Sequence, residues 1–94
     1  MKPLLWNPDK NRLLKATRGI DFNMVTLAIN QGQILDVIDH PNQYKFPSQQ
    51  IFVLAINQYV YLVHFIESEQ AVFLKTIIPS RKKKKKYLGG IDDE

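Results

Sequence analysis

The chain has 94 residues, 45% of them hydrophobic, which suits one domain with one modest core. It has no cysteine, which excludes a disulfide framework, a thiol nucleophile and a Cys-based zinc site. The net charge of +4 is concentrated, because Arg81 and Lys82 to Lys86 supply six of the 13 basic residues and leave seven against nine acidic ones elsewhere. Blocks of like charge act as solvated tails or as interaction arms. This one follows directly on a strand pattern rather than a long linker, which favours a surface for a polyanion, RNA above all. No apolar run approaches the roughly 18 residues of a membrane-spanning helix. The opening Met1-Lys2-Pro3-Leu4-Leu5-Trp6 lacks the apolar stretch and cleavage site of a signal peptide, so a cytoplasmic protein without membrane contact is expected.

Leu4-Leu5-Trp6 reads as a first strand. Asn7-Pro8-Asp9 then has the features of a helix start: a capping Asn, a Pro tolerated at the first position, and an acid at the positive end of the dipole. A helix over 8–18 ends at Gly19, with Leu13, Leu14 and Thr17 on one arc and Arg12, Lys15 and Arg18 on the opposite one. Asp21 caps a second helix in which Phe22, Val25, Ala28 and Ile29 recur at helical spacing, and Gly32 stops it.

From Gln33 the texture is that of strands. Ile34 to Ile38 is one, and the polar, proline-punctuated stretch His40 to Ser48 is a loop. Ile51 to Ile56 and Tyr59 to Ile66 are joined by Asn57-Gln58, a two-residue turn or a slightly longer loop, since Gly is missing. Glu67 to Gln70 turns into a last strand, Ala71 to Ile78. These three strands are apolar on both faces, so the helix pair covers one face and another element or a partner covers the other. Pro79 closes the last strand and Ser80 caps a basic helix through Leu88. Like charges at i,i+4 there repel by a few tenths of a kcal/mol per pair, so phosphate binding would tighten it.

The resulting fold class is α+β: two N-terminal helices on an antiparallel sheet, in the order β-α-α-β-β-β-β, with a basic C-terminal helix or tail. Residues 1–88 form the single domain and 89–94 a flexible acidic tail.

No Gly-rich phosphate loop, metal-ligand cluster or nucleophile elbow is present, and His40 and His64 lie too far apart in sequence for a local metal pair. No metal or other cofactor is expected. Polar residues stranded among apolar ones remain: His64 in β-branched and aromatic company, and Lys75-Thr76 inside Phe73 to Ile78. An unpaired buried Lys or His would cost several kcal/mol, so these groups are exposed, paired or at a site. Glu67 and Lys75 could form an edge ion pair. With His64 and Arg81 they could instead cleave RNA without metal, His64 and Glu67 moving protons while Lys75 and Arg81 stabilise the phosphorane. Tyr44, Tyr59, Tyr61 and Tyr87 offer faces for unpaired bases, although most are simply good strand formers.

Trp6-Asn7-Pro8-Asp9-Lys10-Asn11, Lys15-Ala16-Thr17-Arg18-Gly19-Ile20-Asp21-Phe22 and Ile77-Ile78-Pro79-Ser80-Arg81-Lys82 resemble the BrnT family, toxins of type II toxin–antitoxin systems. The resemblance spans nearly the whole chain in the same order. It implies a RelE-like fold, a metal-independent ribonuclease that blocks translation, and neutralisation by a cognate antitoxin encoded alongside. It further implies DNA contact only through that antitoxin, and leaves a homodimer within the complex open. The family's Arg after the Ile-Ile pair matches Arg81, and its basic residue directly before that pair falls on Thr76, with Lys75 the nearest cation. Together these readings assign catalysis to His64, Glu67, Lys75 and Arg81, and RNA binding to Lys82, Lys83, Lys84, Lys85, Lys86 and Tyr87. Two rivals stay open: a non-catalytic nucleic-acid-binding or complex-assembly module, and a ParE-like poison of a topoisomerase.

Overall fold

A computed structural model describes residues 2–89, so the tail expected over 89–94 lies almost wholly outside the described residues. The elements run β1 (Leu4–Trp6), α1 (Pro8–Arg18), α2 (Phe22–Asn30), β2 (Ile34–Asp39), β3 (Gln49–Ile56), β4 (Tyr59–Glu67), β5 (Val72–Pro79) and α3 (Arg81–Leu88). Each helix starts where its cap says it should. The Asn7 side chain accepts the Asp9 and Lys10 N–H groups at 2.8 and 3.1 Å, and Asp21 accepts that of Met24 at 3.0 Å. Gly19, at φ 69°, takes the left-handed conformation that ends α1 and lets the chain turn at once into α2.

The strands form one sheet in the order β1-β5-β4-β3-β2. Pairings among β2 to β5 are antiparallel, but β1 runs parallel to β5 at the edge, so the sheet is mixed rather than antiparallel throughout. The reason is topological: strands β2 to β5 are joined by turns that reverse direction, whereas β1 returns only after the whole helix pair has intervened. Asn57 and Gln58, at φ 51° and 64°, form a two-residue turn with both central residues left-handed, as the right-handed twist of a hairpin requires. That turn fixes Ile51 opposite His64 and Val53 opposite Leu62. A bulge in β5 lets Leu74 oppose Phe65 and Thr76 oppose His64, leaving Lys75 without a register partner.

One sheet face carries Phe52, Leu54, Ile56, Val63, Phe65, Val72, Leu74 and Ile77, packed against Leu14, Ile20, Phe22, Val25, Ala28 and Ile29 of the helix segment. Trp6 stacks on Phe22 with ring centroids 5.7 Å apart. The arc expected on α1 narrows to Leu14, because Leu13 is 56% exposed and Thr17 is exposed too. Leu14 is the one residue of α1 buried in the core.

Candidate functional site

The opposite sheet face alternates with the core face, so the register assigns to it Asp36 and Ile38 of β2, Ile51 and Val53 of β3, Val60, Leu62 and His64 of β4, and Thr76 and Ile78 of β5. Helix α3 lies across it. The Ser80 N–H donates to the Val60 carbonyl at 2.9 Å, and the Ser80 hydroxyl caps the helix by accepting the Lys83 N–H at 3.1 Å. At the other end, the Tyr87 hydroxyl donates to the Asp36 carboxylate at 3.0 Å, tying the helix to the far side of the sheet. That bond to a carboxylate, with some desolvation, pushes the Tyr87 phenol above its ordinary value. Val53 and Val60 are fully buried although neither belongs to the core under α1 and α2, so they form a second, smaller core beneath α3.

The basic run is therefore a folded, docked helix with two sides. Lys83, Lys84 and Tyr87 are half-buried along its inner stripe, with the Lys84 ammonium 5.8 Å from the Tyr59 ring centre. Half-buried lysines of this kind can cover apolar surface with their methylene stems. Arg81, Lys82, Lys85 and Lys86 are exposed, and at 3.6 residues per turn they fall within an arc of about 140°.

On the same face, His64 meets His40, which closes the β2 end of the sheet at the start of the 40–48 loop. Their ring centroids are 5.2 Å apart, edge to face. The loop is held to the body by its own polar groups: the His40 Nδ1 accepts the Asn42 N–H at 3.0 Å, the Gln43 amide donates to the His40 carbonyl at 2.7 Å, and the Phe46 ring lies 4.4 Å from the His40 ring. Partial burial, reinforced by the neighbouring His40, holds His64 below its ordinary value, so its imidazole is neutral and basic at neutral pH.

The four residues assigned to catalysis are not joined by any hydrogen bond or ion pair among themselves. His64 and Glu67 point to opposite faces, since Glu67 opposes Val72 of the core face. Glu67 is engaged instead by the Lys2 ammonium at 2.7 Å. Lys75, displaced by the bulge, lies 5.4 Å from the Phe73 ring centre and lines a cleft of about 470 Å³ with Asn7, Asp9, Lys10 and Leu13 at the start of α1. The expected edge pair of Glu67 with Lys75 does not form. Arg81 stands exposed at the first position of α3. Among the described residues no three His, Asp or Glu side chains come together as a metal site, and no helix is long and apolar enough to cross a membrane.

His40 is the residue that the sequence did not bring forward. Its only local signal was its place at the head of a polar loop. The link to His64 runs through the β2–β3 pairing, whose register a loop of that length does not fix.

The fold and this face define a small α+β protein with a mixed five-stranded sheet, a helix pair on one side and a basic helix with two histidines on the other. Comparison with protein-family models, with curated proteins and with solved structures gave no match.

Proposed function

We propose that this chain is a BrnT-like toxin of a type II toxin–antitoxin system: a metal-independent ribonuclease that stops translation, acts in the cytoplasm, and is neutralised by a cognate antitoxin. The observation that carries the reading is the docking of α3. A lysine run that served only for solubility would need no cap, no tyrosine anchor and no apolar bed. This one has all three, and it presents four exposed cations on the sheet face that also carries His64. The element order, with two helices following the first strand and a basic helix following the last, also agrees with the RelE-like arrangement that the resemblance implies.

In this reading His64 moves the proton, Arg81 with Lys82 to Lys86 holds the phosphate backbone, and Tyr87 serves by anchoring α3. Thr76, where the resemblance places a basic residue, sits opposite His64. Glu67 and Lys75 stand away from this centre, and that favours one second reading: a module that binds RNA through α3 without cutting it.

Incubating the purified protein with a long RNA in EDTA separates the two. Cleavage that leaves 2′,3′-cyclic phosphate ends supports the ribonuclease, and bound but intact RNA supports the module. Expression without a partner should arrest growth, and Arg81→Ala should relieve the arrest with the fold unchanged. A folded Arg81→Ala protein of full toxicity would remove Arg81 from the mechanism.

A further inference from the structure

Two imidazoles that the sequence keeps apart share one spot on the α3 face, and the order around them differs. His64 is framed by strand neighbours, Ile51 on one side and Thr76 on the other. His40 is fixed by its loop: Nδ1 is occupied as an acceptor of the Asn42 N–H, so the neutral ring carries its proton on Nε2. The pair thus offers one free base and one neutral N–H donor.

We propose that His40 and His64 form a two-imidazole centre for RNA transphosphorylation, His64 taking the 2′-hydroxyl proton and His40 donating from Nε2 to a non-bridging phosphate oxygen. The inference rests on the ribonuclease reading and adds a residue to it. As His64 removes the proton, the 2′-oxygen bonds to phosphorus, and negative charge grows on the non-bridging oxygens that His40 contacts. The bond from phosphorus to the 5′-oxygen then breaks, and the imidazolium of His64 returns its proton to that leaving oxygen. Both rings end neutral. The products are a 2′,3′-cyclic phosphate and a 5′-hydroxyl, and RNA is the only reactant consumed.

The charged groups around the pair fit this division. Lys45, on the same loop, lies 5.6 Å from the centre of the Phe46 ring that packs on His40. Asp36 is taken up by Tyr87, and Asp39 precedes His40 on the other side of its strand. Thr76, opposite His64 on β5, is neutral. Among the described residues no carboxylate makes a hydrogen bond or ion pair with either imidazole.

The test compares wild type, His40→Ala, His40→Gln and His64→Ala for RNA affinity and for cleavage in EDTA across about pH 5 to 8. His40→Ala should bind RNA as the wild type does and cleave it about 10²–10³-fold more slowly, the usual loss for one donor to a developing oxyanion. His40→Gln, which keeps an N–H donor, should recover part of that rate. The acid limb of the profile should also move to higher pH in His40→Ala, because His64 loses the neighbour that helps hold it neutral. A role confined to folding would not move that limb.

Wild-type cleavage with an equal rate in folded His40→Ala would overturn the pair alone. An alkaline limb lost in His40→Gln would overturn it too, by marking His40 as a cationic acid. RNA left intact by the wild type would bring down the ribonuclease reading and the pair with it. If His40→Ala fails to fold, the comparison of His40→Gln with the wild type decides.

Discussion

His64 and Tyr87 show how single contacts make this protein sensitive to pH in two directions. His64 titrates below its ordinary 6.5 in the folded chain, mainly through burial. As pH falls through 6.5 the unfolded state takes up a proton that the folded state resists, so stability declines until pH passes the folded value. His64→Gln should therefore flatten the stability curve between neutral and mildly acidic pH. Urea midpoints at several pH values check this, and a variant with the wild-type slope would contradict it. Tyr87 works the other way. Its folded value lies above 10.0, so its contribution is complete at neutral pH and is lost as the phenol ionises beyond 10. Two residues on one face thus bracket a plateau of stability around neutrality.

At the scale of elements, α3 is the one least able to stand alone. Eight residues are too few for an independent helix, and its lysines repel one another. Its persistence depends on the Ser80 cap, the small core of Val53 and Val60, and the Tyr87–Asp36 bond. Asp36→Ala should free the far end of the helix: amide exchange over 81–88 should accelerate while β3 and β4 keep their protection. Unchanged exchange would show that the apolar bed suffices. Much of this level was legible in the sequence, because caps, glycine stops, the Asn57-Gln58 turn and strand alternation are local signals. The basic helix itself was read from Ser80 and its position after β5. What escaped was what depends on pairing between distant segments. The parallel seat of β1, the bulge that strands Lys75, and the meeting of His40 with His64 all follow from register across the sheet. The proximity imagined for Glu67 and His64 failed for a simple reason: three steps along a strand change the face.

At the scale of the whole molecule, charge is separated from the main core. The rest of the domain is nearly balanced in charge, and the positive potential stands on one helix over one face. RNA affinity should then fall with salt, and the slope of log K against log salt should drop by about 0.7 for each phosphate contact removed from a single strand. Arg81→Ala and Lys82→Ala should each lower it by about that step, whereas a Lys10→Ala change on α1 should leave it unaltered. Equal slopes in all three variants would place the RNA elsewhere.

The parallel seat of β1 also has a consequence for how the protein is made. Leu4, Leu5 and Trp6 have no strand partner until Val72, Phe73 and Leu74 have been added. Trp6 can meet Phe22 early, but the sheet edge it belongs to is assembled last. During synthesis the helix pair must wait, its apolar side uncovered, for strands still inside the ribosome. The edge closes only once β5 has been made, so a nascent chain that stops short of Leu74 holds β1 without its seat.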